Sequence, residues 1–191
     1  MNKPDRYWVG FDLGGTKMLA SLFDGEFKKL GRERKRTKGN EGAEAGVARI
    51  ISTIDGALKD ANLDRRQIAG IGMACPGPLD LNKGILIDTP NLGWKKLPIK
   101  DLLEKEFGCP TVILNDVDAG VYGEYRFGAG REARCVVGIF PGTGIGGGFI
   151  EGGRLLRGAS GSACEVGHTT IDVNGRRCRC GNQGCLEAYA S

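Results

Sequence analysis

The chain has 191 residues, at about 150 per domain one domain and part of a second, and its 40% apolar and 26% charged residues are an ordinary globular composition. No apolar run approaches the ~18 residues that span a bilayer, and the opening Met1–Arg6 stretch is polar, so a cytoplasmic chain with no membrane partner is expected. The net charge of +4 is uneven, since residues 28–38 carry +6 and the remainder −2; 33 glycines without a collagen period are more than twice the usual ~7% share.

Tyr7–Leu13 and Met18–Phe23 are short apolar runs separated by Gly14-Gly15, and Asp24-Gly25 marks a turn into the basic segment 27–37, so an antiparallel meander is expected. A basic run can bind nucleic acid. This one has no interleaved aromatics and no helix-turn-helix pattern beside it, and it is read as a solvated strand and turn, with no nucleic-acid partner. Val47, Ile50, Ile51, Ile54, Leu58 and Ala61 recur at helical spacing and predict an amphipathic helix. Ile68–Ala74 reads as a strand stopped by Pro76-Gly77-Pro78. Leu102, Leu103, Glu106 and Phe107 suggest a second helix, closed by Gly108 and Pro110.

Thr111–Leu114 has the apolar character of a buried strand, and Asp116–Phe127 looks helical although Gly120 and Gly123 weaken it. Cys135–Phe140 and Gly147–Glu151 are strands flanking a glycine loop. Strands alternating with helices argue an α/β fold. Each half opens with a strand, a glycine turn containing Gly-Thr and a second strand, which suggests two lobes able to cradle both ends of a polyphosphate. The lobes are assigned as 1–114 and 115–191, with the boundary in the region 114–133.

Four motifs carry chemistry. In Asp12-Leu13-Gly14-Gly15-Thr16-Lys17 two glycines free backbone N–H groups for an anion, Thr16 and Lys17 add phosphate contacts, and Asp12 can hold a metal or its waters; an ordinary hairpin turn fits the same letters. Gly142-Thr143-Gly144-Ile145-Gly146-Gly147-Gly148 places five glycines in seven residues, which implies phosphate contact or close packing. Asn115-Asp116 ends a strand, where α/β folds place ligand-contacting groups. Asp116 can there accept the proton of a substrate hydroxyl, or simply cap a helix.

The seven cysteines are an odd number, and without a secretory signal a disulfide framework is not expected. Cys75, Cys109 and Cys135 sit in apolar segments and read as small core residues. His168, the single histidine, precedes Cys178, Cys180 and Cys185. A Cys₃His set suits structural zinc, although the first cysteine pair has one intervening residue rather than two, and redox cysteines are the alternative.

The order D-L-G-G-T-K, P-G-P-L-D, P-N-L-G-W, N-D, G-T-G-I-G-G-G, E-V-G-H and C-R-C-G-N-Q-G-C-L-E resembles the ROK family of sugar kinases and repressors, and Gly123–Gly130 (G-E-Y-R-F-G-A-G) resembles its bacterial glucokinase branch. The resemblance implies an actin-like ATPase fold of two ribonuclease-H-like lobes, with the second lobe incomplete because family members continue past Ser191. It implies ATP-dependent phosphorylation of a hexose 6-hydroxyl with Asp116 as catalytic base. Gly77, Asn91, Asn115, Asp116, Glu165, His168 and Glu187 would line the sugar pocket. Asp12, Gly14, Gly15, Thr16, Lys17, Gly142, Thr143, Gly144, Gly146 and Gly147 would hold ATP with Mg²⁺, and His168, Cys178, Cys180 and Cys185 a structural zinc. A homodimer is the family expectation.

Leu114 stands where family members often have an acidic residue, and Pro141 where an aliphatic one is common. Glucose leads the candidate sugars, ahead of N-acetylhexosamines, mannose and fructose, and polyphosphate is an alternative donor. The rival function is a non-enzymatic sugar-responsive repressor. Those members carry a helix-turn-helix domain ahead of the first glycine motif, whereas eleven residues precede Asp12 here. An inactive fragment stabilised by zinc is the third reading.

Overall fold

The computed structural model describes residues 6–89, 91–159 and 161–191. Most of the polar Met1–Arg6 stretch and Pro90 of the P-N-L-G-W motif lie outside the described residues. The chain forms two compact units, one ending at Asp116 and the other running from Val117 to Ser191.

The first unit is built on a five-stranded sheet in the order β3-β2-β1-β4-β8. Strands β1 (Tyr7–Leu13), β2 (Lys17–Phe23) and β3 (Lys29–Arg36) form the expected antiparallel meander, and β4 (Ile68–Cys75) and β8 (Thr111–Asn115) add to it in parallel. Alternate residues of each strand point to the helices α1 (Ala43–Asp60) and α2 (Ile99–Phe107). Val9, Phe11 and Leu13 of β1, Leu22 of β2 and Ile71 of β4 join Ile50 and Ile54 of α1 and Leu103 of α2 in one buried core. Truncating one such Leu or Ile to Ala costs about 2–5 kcal/mol. The basic run is β3, an edge strand on which Lys35 reaches back to Ser52 of α1 while Arg32, Arg34 and Arg36 remain exposed.

A small sheet of β5 (Leu79–Asp80), β6 (Ile85–Thr89) and β7 (Trp94–Leu97) was not legible as periodicity, because strands of two to five residues give too few alternations. It is tied down by Trp94, 1% exposed, whose indole N–H donates to the Gly39 carbonyl at 3.3 Å. A Cβ on Gly46 would sit 2.1 Å from that indole, which explains a glycine inside α1. No helix among the described residues is long and apolar enough to cross a membrane.

In the second unit α3 (Asp116–Phe127) leads into the antiparallel strands β9 (Cys135–Pro141), β10 (Ile145–Glu151) and β11 (Arg154–Leu155), in the order β11-β10-β9. Val121 of α3 is fully buried against Gly138 and Gly148, and Gly120 lies against the Phe140 ring. Of the two glycines that weaken the helix by propensity, Gly120 is thus the one set close against a neighbouring side chain, while a Cβ on Gly123 would meet nothing within 4 Å. The other face of β9 is bare, with Val137 64% and Ile139 57% exposed.

Cys135 shares the odd-numbered side of β9 with Val137 and Ile139 and is exposed, which corrects the expectation that it is a core residue. An apolar neighbourhood in sequence does not decide which face a strand residue takes. Cys75 and Cys109 are buried as expected. A 3-10 turn (Val166–His168) and the one-turn helix α4 (Glu187–Ala190) complete the unit.

Candidate active site

The parallel pairing sets one end of the first sheet as a cluster of polar groups. Register places Asp12 opposite Ala74, Ala74 opposite Leu114, and Cys75 opposite Asn115, so the carboxyl ends of β1, β4 and β8 lie side by side. Asp116 follows directly as the first residue of α3. Partial desolvation raises the Asp12 carboxyl above its ordinary range, the negative charge of Asp116 raises it further, and Arg34 opposes both. Burial pushes the Cys75 thiol up strongly, and Asp116 and then Asp12 add to the shift, so the thiol stays protonated beside two carboxylates. Gly77 passes this end of the sheet with its Cβ direction 3.7 Å from Asn115 Nδ2.

The turn between β1 and β2 is shaped by its own backbone. Gly14 N–H donates to the Lys17 carbonyl at 3.0 Å, and a Cβ on Gly14 would sit 2.7 Å from that oxygen. Thr37 fixes the turn from outside: its N–H donates to the Thr16 carbonyl at 2.9 Å and its hydroxyl to the Gly14 carbonyl at 2.7 Å. Thr37 is fully buried, and sequence reasoning missed it, since its only signal was a threonine at the end of a basic strand. Gly15 lies against the Asn91 side chain, at 3.2 Å from the Cβ position, so Asn91 belongs to the same end of the unit.

In the second unit the glycine segment divides by role. Only Gly142–Gly144 form the turn, because β10 starts at Ile145 rather than at Gly147. Gly142 N–H closes the turn on the Gly144 carbonyl at 2.8 Å. Gly146, Gly147 and Gly148 lie inside the strand, where a Cβ would meet Val117 at 2.4 Å, Val166 at 2.6 Å and Val121 at 2.8 Å respectively. These three positions have a packing reason to be glycine. The Glu187 carboxylate sits on the turn, its Oε2 accepting the Ile145 N–H at 2.9 Å.

His168, Cys178, Cys180 and Cys185 bring one donor atom each to within 4.8 Å of one another. Cys178 Sγ is 3.7 Å from His168 Nδ1, and Cys180 Sγ is 3.7 Å from Cys185 Sγ. Metal–sulfur bonds of about 2.3 Å in a tetrahedron put neighbouring sulfurs about 3.8 Å apart, so the donor set fits a four-coordinate soft cation. Desolvation, with the neighbouring Cys180 and Cys178 thiols, pushes the Cys185 thiol up to about 11. A hydrogen bond to the Asn182 backbone, then Cys178, lowers the Cys180 thiol, the more exposed of the two. Glu165 precedes His168 on the 3-10 turn, and the His168 N–H donates to its carbonyl at 2.9 Å.

Comparison with known proteins gives one family throughout. A glucokinase of Streptomyces coelicolor is 38% identical over 183 residues, 96% of this chain and 56% of its own length. A putative xylose repressor of a Caldicellulosiruptor species is 36% identical over 193 residues, all of this chain and 48% of its own length. Among solved structures, a ROK family glucokinase from Streptomyces griseus in complex with glucose and AMPPNP aligns with a TM-score of 0.81 at 38% identity, over 97% of this chain and 57% of that one. The chain spans about half the length of the curated relatives it matches. The fold is the actin-like ATPase architecture, with a main sheet of five strands in the first unit and of three in the second. The ROK family pattern matches residues 8–191, and the chain belongs to the ROK family.

Proposed function

We propose that the protein is an ATP-dependent sugar kinase acting on the 6-hydroxyl of a hexose, with glucose the first candidate. The observation that carries the reading is the pair Asp12 and Asp116, which the parallel register brings to one end of the first sheet as electrostatically coupled carboxylates. Asp116 opens α3, where the helix dipole favours a negative charge. There it accepts the hydroxyl proton as the sugar oxygen bonds to the terminal phosphorus and the bond to the nucleotide breaks.

The Gly14–Lys17 and Gly142–Gly144 turns would hold the phosphates through backbone N–H groups other than those of Gly14 and Gly142, which close the turns, with Thr16, Lys17 and Thr143 beside them. Gly77, Asn91 and Asn115 in the first unit, and Glu165, His168 and Glu187 in the second, offer the paired donors and acceptors that vicinal hydroxyls require. Magnesium, when bound with ATP, supplies charge neutralisation at the phosphates, and Asp12 would hold it or its waters. Zinc, when bound, would be held by His168, Cys178, Cys180 and Cys185 and would fix the His168 ring. The glucokinase relatives support glucose over N-acetylhexosamines and other hexoses.

The test is a coupled ATP/glucose assay on the full-length protein and its Asp116→Asn variant, with other hexoses and a polyphosphate donor in parallel. Loss of the base lowers turnover by ~10²-fold or more, with little change in glucose affinity. Near-normal turnover in the variant eliminates Asp116 as the base. A sugar-binding regulator is the second reading, favoured by the repressor that matches the whole of this chain at 36% identity. Glucose binding by calorimetry with no phosphorylation in the same preparation would decide for it.

A further inference from the structure

We infer that Glu187 is a positioning residue for the nucleotide as well as a sugar ligand, joining the two halves of the reaction through one carboxylate. The inference rests on the sugar-kinase reading and adds to it a second duty for this side chain.

Oε2 of Glu187 accepts the Ile145 N–H at 2.9 Å, at the point where the Gly142–Gly144 turn enters β10. Gly144 makes the approach possible, since a Cβ there would lie 2.5 Å from Oε2. Ile145 is itself 5% exposed, so its N–H is served by a charged acceptor away from bulk water, where the bond is stronger than a neutral one. On the other side of Ile145, its carbonyl oxygen lies 2.1 Å from where a Gly167 Cβ would be. The start of β10 is thus held between Glu187, two residues after Cys185, and Gly167, one residue before His168.

A carboxylate has two oxygens and lone pairs for more than one donor. With Oε2 committed to the turn, Oε1 remains for a sugar hydroxyl. A hydroxyl bound there fixes the carboxylate, and the carboxylate fixes the turn whose N–H groups receive the phosphates. Sugar and nucleotide therefore bind with positive coupling, and the coupling is reciprocal.

The experiment measures the affinity of the full-length protein for AMPPNP by calorimetry, with and without saturating glucose, for the wild type, Glu187→Gln, Gly144→Ala and the double variant. Melting temperature and zinc content of each variant report on folding. Glu187→Gln keeps the shape and loses the charge, and exchanging a charge-assisted for a neutral hydrogen bond lowers AMPPNP affinity about tenfold in the absence of any sugar. Gly144→Ala displaces the carboxylate from the other side of the same contact, so the double variant loses less than the two single losses together.

Unchanged sugar-free AMPPNP affinity in Glu187→Gln, or strict additivity in the double variant, overturns the inference, because a residue serving only the sugar leaves both untouched. Failure of the sugar-kinase reading shows separately, as a wild type that binds AMPPNP but does not phosphorylate glucose.

Discussion

Gly167→Ala is a clean perturbation of the second unit, because it adds one methyl group where two main chains touch. The new Cβ falls 2.1 Å from the Ile145 carbonyl oxygen, and contacts below 3.0 Å are essentially never found, so the two segments must part by about 0.9 Å. No side-chain rotation relieves this, since the opposing atom is backbone. The φ of Gly167 lies outside the left-handed region, so alanine adds no conformational strain and the effect is steric alone. Overpacking of this kind costs about 1–3 kcal/mol, and in a chain of this size each kcal/mol lowers the melting temperature by about 2–4 °C.

The displaced elements are the start of β10, which carries the Gly142–Gly144 turn, and the 3-10 turn that ends in His168. A misplacement of ~1 Å can cost ~10²-fold in a catalytic geometry. The full-length Gly167→Ala protein should therefore melt several degrees lower, lose zinc occupancy and show kcat/KM reduced by one to two orders of magnitude. The control is Gly123→Ala in α3, where a Cβ meets nothing within 4 Å. There the same chemical change should raise stability by up to about 1 kcal/mol, through helix propensity. Differential scanning calorimetry, metal analysis and the coupled assay measure all three effects. A Gly167→Ala protein that melts with the wild type and keeps kcat/KM within twofold would refute the steric argument.

The remaining predictions concern charge and metal. The Asp12 carboxyl is raised in the folded state by desolvation and by Asp116, so its contribution is favourable below the ordinary carboxylate pKa and is lost as pH rises through the raised value. Asp12→Asn should accordingly melt higher than the wild type at pH 7 and converge with it near pH ~3, while binding Mg-ATP more weakly; equal melting temperatures at both pH values would remove the proposed repulsion. Metal analysis of the full-length protein should find about one zinc per chain, by the four-donor logic of structural sites. Cys178→Ala removes the thiol 3.7 Å from His168 Nδ1 and should lose zinc and glucose affinity together. Normal glucose binding by a zinc-free protein would break that link.

Much of the architecture is local information. The stripe from Val47 to Ala61 specifies α1 because helical spacing repeats over about four turns of one face, and the actual helix, Ala43–Asp60, differs from it only by beginning earlier, at Ala43, and ending one residue sooner. Gly108 closes α2 with a φ of 66°, the left-handed cap that the sequence signalled. The Cys₃His set was legible because its four donors fall within 18 residues, and short loops with glycines at Gly181 and Gly184 (φ of 96° and 73°) bring them together.

Other properties belong to the tertiary structure alone. Cys135 carries the same apolar neighbours as a core cysteine, yet its side of β9 is decided by which alternate set α3 covers. Gly146–Gly148 read in sequence as phosphate contact or close packing alike; that Val117, Val121 and Val166 pack where their side chains would be is an approach no local pattern encodes. Asp12 and Asp116 become neighbours only through the parallel pairing of β1, β4 and β8, and Glu187 meets Ile145 across 42 residues of chain. Local spacing sets which residues form an element, because backbone dihedrals and side-chain periodicity act over a few residues. Which groups share an electric field or a hydrogen bond is set by strand order and close packing, which act between residues far apart in the chain.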